Sequence, residues 1–394
     1  MIDVSEEFID DIENYEKAYE EKTGKEVTRL SYWNAFPPLA EKMIKKIPFY
    51  EDIKTTNYIF SYEISNILKD QLIRKFGCET EVNDIIITQS GSLSIYNVVN
   101  FLKYKGIDSI ALLSPVYFTV PYVCENLSID YSHFYMDRNN EEYHLTENAI
   151  RQIDDYDVVW ITNPVYCASV YYSDEFHSLI DKWIKQGKYI IFDEALCLYG
   201  NELIRDYYEH ENVISICSPH KSLCINGNKF SGIITSKKHS RIFNAWIDII
   251  SGCLSISNLK AIHHFLSDDY VQLQSFFREL TYQNYKSIEK LCETYDVEYD
   301  KSADGCFMSL YFSELDASLG DSDSFIKTII LDLGISFIPG SRNHMNPCFG
   351  FSFRINLSRI TDKYLDDLQN LIIYLKLRGS KPSHNSKEPL LIKP

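Results

Sequence analysis

Lys221 stands in the run Ser218-Pro219-His220-Lys221, directly after the apolar segment Val213-Ile214-Ser215-Ile216-Cys217. A lysine partly withdrawn from water offers a neutral amine, and a neutral amine attacks carbonyl carbons. Three other polar groups also follow short apolar runs: Ser90-Gly91-Ser92, Asn163-Pro164 and Asp193-Glu194. Gly91-Ser92-Leu93 would present backbone N–H groups to a phosphate at a helix start, with the Ser90, Ser92 and Ser218 hydroxyls beside them. Arg354 comes later in the chain, and its planar fork matches a carboxylate bidentately. Taken singly, each has a plainer reading: a surface lysine, a strand-end acid capping a helix, a glycine turn with a serine N-cap, an Asn-Pro turn, an arginine on a solvated strand face.

The elements that must position these groups follow from the apolar pattern. Ile85-Ile86-Ile87, Ile110-Ala111-Leu112-Leu113, Val158-Val159-Trp160-Ile161, Tyr189-Ile190-Ile191-Phe192, Val213 to Cys217 and Gly232-Ile233-Ile234 alternate with helical stretches. Continuous apolar strands separated by helices predict an α/β fold with a mainly parallel sheet covered on both faces. In such sheets ligands bind beyond the carboxyl ends of the strands, and polar candidates follow most of these runs at that end. Ahead of the sheet, residues 5–22 read as an acidic helix, with Phe8, Ile12, Tyr15 and Tyr19 at helical spacing. Pro37-Pro38 opens a second helix reaching about Lys46. A third covers 60–76, with Ile64, Ile67, Leu68, Leu72 and Ile73 on one face.

Residues 243–295 contain almost no glycine or proline and read as long helices leading to a smaller α/β domain. That domain would hold strands at 306–312 and 349–358, a helix near 322–333 and a short apolar run at 335–338. In the last strand Phe349, Phe351, Phe353, Ile355 and Leu357 form the core face, and Arg354 lies on the other. The expected organisation is an N-terminal segment (1–48) joining the small domain, a large domain (49–285), the small domain (286–378) and a loosely ordered tail (379–394).

Composition limits the function. The chain has 394 residues, 45% of them hydrophobic and 24% charged, with a formal charge of -17. That length supports two domains, and so acidic a chain repels nucleic-acid backbones. No apolar stretch is long enough to span a bilayer, and the start Met1-Ile2-Asp3-Val4-Ser5-Glu6-Glu7 has no secretion-signal pattern, so a cytoplasmic protein is expected. The ten cysteines include no C-x-x-C pair and read as reduced and mostly buried; the ten histidines do not cluster at metal spacings.

The order of motifs across roughly 58–358 resembles the fold-type I enzymes of pyridoxal 5'-phosphate (PLP), specifically the class I/II aminotransferase family. The resemblance implies that Lys221 forms the Schiff base, Asp193 pairs with the pyridine nitrogen, and Asn163 donates to the ring hydroxyl oxygen. It also implies that Tyr117, in Pro115-Val116-Tyr117, stacks on the ring and that Arg354 grips the substrate α-carboxylate. Tyr58 matches the tyrosine that reaches a neighbouring subunit's phosphate, which goes with a homodimer whose active site lies between subunits. Specificity would draw on Tyr32, Trp33 and Asn34. The implied activity is amino-group transfer on a free amino acid.

Three positions depart from the family pattern. Leu196 replaces a tyrosine three residues after Asp193, Lys229 replaces an arginine eight residues after Lys221, and Val165-Tyr166-Cys167-Ala168 replaces Pro-Thr-Gly. The first two, with the serine-rich turn near 90, also resemble PLP-dependent oxidases and hydroxylases acting on arginine. Those carry an N-terminal histidine where Ser31 stands here, and the first histidine of this chain is His133. An oxidase, cyclase or lyase acting on arginine or a related amino acid is therefore the alternative.

Overall fold

The computed structural model describes residues 5–31, 64, 66–139, 142–198, 200–221, 229–250, 254–301 and 305–379. Strands β1 (Asn83–Thr88), β2 (Ser109–Ser114), β3 (Asp130–Tyr135), β4 (Val158–Thr162), β5 (Tyr189–Glu194), β6 (Val213–Cys217) and β7 (Ser231–Ser236) form one sheet in the order β1-β7-β6-β5-β4-β2-β3. All pairings are parallel except those of β7, which runs antiparallel to both β1 and β6. Every residue of β4, β6 and β7 is buried, the condition of a sheet covered on both faces. Side chains alternate between two cores, Ile85, Ile87, Val159, Ile161 and Phe192 on one face and Ile86, Val158, Trp160, Ile191 and Ile214 on the other.

The mainly parallel sheet is the one the sequence predicts, and the reversed β7 has a consequence at the site. The carboxyl ends of β1, β4, β5 and β6 open on one edge, and the amino end of β7 joins them there, with Ser231 paired to Thr88.

A second, antiparallel sheet comprises β8 (Glu298–Tyr299), β9 (Phe307–Phe312), β10 (Ile338–Pro339) and β11 (Phe351–Asn356) in the order β8-β9-β11-β10. Its core gathers Met308, Leu310, Phe351, Phe353, Ile355, Ile326, Ile330, Leu368 and Ile372, and takes Ile12 and Leu30 from the start of the chain. The first helix, Ser5–Thr23, reaches the helix Asp323–Leu333 through a 2.8 Å bond from the Tyr15 hydroxyl to Asp323. Thr28–Arg29 then pairs in parallel with Ile335–Ser336.

One 28-residue helix, Asp268–Tyr295, serves both cores: Tyr270, Leu273 and Phe277 pack against the large sheet, Tyr285, Ile288 and Cys292 against the small one. A buried polar cluster also bridges them. Arg138 lies 3.6 Å from Asp300 with its guanidinium carbon 3.8 Å from the centre of the Tyr311 ring. Tyr311 donates to Asp300 at 3.0 Å, and the Tyr143 hydroxyl sits 2.7 Å from that of Tyr311.

Two local expectations change. The described part of the third helix is Asn66–Lys75; its buried stripe through Leu68, Leu72 and Ile73 leaves Ile67 on the outer flank, 73% exposed, and Ile64 is buried just ahead of it. In β11 both faces are buried, so the Arg354 face is covered by protein rather than water. The helix expected from Pro37 to Lys46 lies outside the described residues. Among the described residues no helix is long and apolar enough to cross a membrane, and no cluster of metal-ligating side chains occurs.

Candidate active site

The sheet edge gathers the polar groups that the sequence scatters over more than a hundred residues. Asp193 is the penultimate residue of β5 and is 3% exposed; its Oδ1 accepts from the Ala195 N–H at 3.3 Å. Lys221 ends the short turn Pro219–Lys221 after β6, the strand next to β5. Burial pushes the Asp193 carboxyl up, and the nearby Lys221 pulls it back down. Burial lowers the Lys221 ammonium, with Asp193 opposing. The result is an amine that gives up its proton more readily than a solvated lysine, held beside an acid.

The anion cradle is also built. Ser90 caps the helix Gly91–Tyr104, accepting from the Leu93 N–H at 3.3 Å. At Gly91 an added Cβ would lie 3.0 Å from the Ser218 hydroxyl, so the helix start sits close against the exit of β6 and a larger residue would require that hydroxyl to give way. Ser92 is exposed. Behind them runs a chain of hydroxyls: Ser218 donates to Ser231 at 3.1 Å, Ser94 to Ser231 at 3.0 Å, and Thr88 and Ser94 stand 2.7 Å apart. Sequence reading missed Ser94 and Ser231. Ser231 belongs to the site only because β7 is reversed, which no short motif announces.

The Asn163 side-chain N–H groups donate to Glu194 Oε1 at 2.9 Å and to the Asn201 carbonyl at 3.0 Å. Glu194 stands next to Asp193 but on the opposite face of β5. It is buried and also accepts from Ser215 at 2.7 Å and from the Leu203 N–H. Burial pushes its carboxyl up to about 7, against the pull of these bonds.

Arg354 sits mid-strand in β11, paired with Ser309 on one side and Ile338 on the other, and is 2% exposed. Its Nη1 donates to the Tyr166 hydroxyl at 2.7 Å and lies 3.8 Å from the Cys167 sulfur; its guanidinium carbon is 4.7 Å from the Phe307 ring centre. Burial opposes its charge, and Tyr166 and Cys167 outweigh that and raise its pKa. Ser31 donates to the Arg354 carbonyl and accepts from the Ile338 N–H at 2.9 Å, so it braces the strand that carries the arginine.

The Tyr117 ring centre lies 6.0 Å from Lys221 Nζ and 5.7 Å from the Tyr166 ring. Leu196 packs with Tyr166, Cys167, Phe307, Tyr311 and Met345 in an apolar cluster against which Tyr117 and Cys306 rest. Where the family pattern has a phenol, this site thus has a hydrocarbon wall. Lys229 is exposed, accepts at its carbonyl from Asn258, and adds a like charge that lowers Lys221. Tyr58, Tyr32, Trp33 and Asn34 lie outside the described residues.

No protein-family description and no curated protein matches this sequence. Solved structures do. A kynurenine aminotransferase from Pyrococcus horikoshii superposes with a TM-score of 0.73 at 13% identity, over 93% of this chain and 94% of that one. An aspartate aminotransferase from Thermus thermophilus gives 0.72 at 14%, over 92% and 95%. A PLP-bound C-S lyase from Staphylococcus hominis gives 0.70 at 14%, over 88% and 92%. The chain is built on fold type I of the PLP-dependent enzymes, the architecture shared by these aminotransferases and this lyase.

Proposed function

We propose that this chain is a PLP-dependent enzyme acting on a free amino acid, and that it is an aminotransferase. The observation that carries this reading is the pairing of Lys221 with Asp193 at the exits of adjacent strands, with a helix-start anion cradle across the same edge. The donor set fits the cofactor: a buried acid for a pyridinium nitrogen, an amine of lowered pKa for an aldehyde, and for a phosphate a serine-lined helix start that comes close to Ser218 at Gly91. Lys221 would hold the cofactor, Asp193 would face its ring nitrogen, and Ser90, Gly91, Ser92, Leu93 and Ser218 would receive its phosphate. Tyr117 would cover its ring and Lys229 would add positive charge nearby. When bound, PLP supplies an electron sink for the carbon that loses a proton.

The residues of the chain do the rest. Arg354 orients the substrate by its carboxylate, which brings the Cα–H toward Lys221. Lys221, an amine of lowered pKa, would serve as the base that takes the Cα proton. Asp193, buried and with Lys221 favouring its charged form, would pair with the ring nitrogen of the bound cofactor. Leu196 and the cluster around it keep water from the reacting carbon.

The same reading makes 49–285 the cofactor domain and 286–378 the small domain joined by residues 1–48, in a cytoplasmic homodimer to which Tyr58 contributes across the interface; Tyr32 and Asn34 would face the substrate. It is tested by adding amino acids to the PLP-loaded protein without air or keto acid. Loss of the yellow colour with formation of the cofactor's amine form supports an aminotransferase. Oxygen consumption with no keto acid requirement would move the assignment to the oxidase branch, and pyruvate-type products without transfer to a lyase. Failure to take up PLP would end the reading.

A further inference from the structure

The segment Val165-Tyr166-Cys167-Ala168 departs from the family pattern, and its geometry is specific. Cys167 and Ser169 both adopt left-handed backbone conformations, φ 67° and 55°, which non-glycine residues hold only when their surroundings impose them. The surroundings do: the Val165 N–H donates to the Val170 carbonyl at 2.8 Å, and the Ser309 hydroxyl on β9 donates to the Cys167 carbonyl at 3.0 Å. The outcome of this bracing is that the buried Tyr166 hydroxyl accepts from Arg354 Nη1 at 2.7 Å.

Burial raises the Tyr166 pKa well above the ordinary range, so the phenol keeps its proton. Its oxygen accepts from Arg354, which leaves its O–H able to donate. The adjacent Cys167 sulfur is a weak acceptor. A carboxylate oxygen drawn to the guanidinium is a far stronger one, and a phenol that already accepts from a cation is polarised toward donation. Position agrees: Tyr166 bonds Arg354, its ring centre is 5.7 Å from that of Tyr117, and the Tyr117 ring centre is 6.0 Å from Lys221 Nζ. An amino acid held by its carboxylate at Arg354 would bring that carboxylate to the guanidinium nitrogen that Tyr166 already engages.

We propose that Tyr166 is a second binding residue for the substrate α-carboxylate, donating its O–H beside the charge supplied by Arg354. The proposal rests on the functional reading above. It is tested on the full-length, PLP-loaded protein with an amino acid that discharges its yellow colour and with the amine corresponding to that amino acid without its carboxylate. In Tyr166→Phe the apparent affinity for the amino acid should fall about ten-fold or more, while affinity for the amine stays as in the wild type. Tyr166→Gln, whose amide can accept from Arg354 and donate onward, should recover part of the loss. Tyr166→Leu is the second hydroxyl-free variant if Tyr166→Phe fails to fold, judged by uptake of PLP. Unchanged affinity for the amino acid, or an equal loss for both ligands, overturns the proposal. If no amino acid discharges the wild-type colour, the functional reading has failed and this inference goes with it; if the wild type reacts and Tyr166→Phe matches it, this inference alone has failed.

Discussion

Asp193 and Lys221 leave neighbouring strands and set each other's charge. Burial lowers the lysine and raises the acid, and each partner opposes the shift of the other. Removing the acid therefore lowers the lysine further. In Asp193→Asn, the pH at which Lys221 becomes reactive in the cofactor-free protein should move down, as measured by the pH dependence of PLP uptake. Turnover should fall about a hundred-fold or more, because the charge opposite the ring nitrogen is gone. An unmoved pH dependence would separate the two residues.

Lys221→Ala should lower turnover by about 10²–10⁴-fold, the range for losing a positioned acid–base group. The substitution removes an ammonium that burial disfavours, so thermal stability should hardly change. Small primary amines added to the solution should restore a fraction of the rate. Rescue without dependence on the basicity of the amine would contradict a proton-moving role.

Glu194 predicts an acid-side stability slope. Its folded pKa of about 7 lies above the ordinary 4.5, so the folded state binds a proton more tightly than the unfolded chain does. Its favourable contribution is complete below about 4.5 and is lost as pH rises through about 7. The change amounts to about 3 kcal/mol. Asp300, also pushed up to about 7 by burial, adds a slope of the same sign. Urea unfolding across this window should show a shallower fall for Glu194→Gln than for wild type, and a flatter one again when Asp300→Asn is added. A wild type whose stability rises with pH over that range, with no difference in Glu194→Gln, would contradict the upward shift of these carboxyls.

The bridge between Arg138 and Asp300 should be costly to halve. Arg138→Met leaves a buried carboxyl without its cation and should destabilise the protein by about 3–5 kcal/mol. The pair Arg138→Met with Asp300→Asn removes both charges and should recover much of that loss. Denaturant titration of the two single variants and the double variant measures the coupling. Additive effects would mean that the two groups do not act together.

How much of this was legible in the sequence depended on range. The strands of the large sheet showed as continuous apolar runs because both their faces are buried, and the polar residue at each exit marked the edge where Asp193 and Lys221 meet. The direction of β7 was not legible, since an apolar run reads the same both ways, and with it Ser231 escaped notice. Glu194 was visible as a neighbour of Asp193, but strand alternation sends it to the opposite face, where Asn163, Ser215 and Leu203 converge from separate segments. Arg354 was read from its strand pattern, while its partner Tyr166, 188 positions away, could be found only in three dimensions.

The most direct test of the account is to load the protein with PLP, reduce it with borohydride, digest it and locate the modified lysine by mass spectrometry. The account predicts the label on the peptide containing Lys221, and its disappearance when the loaded protein is first treated with an excess of a reacting amino acid. Label on another lysine, or none at all, would contradict it.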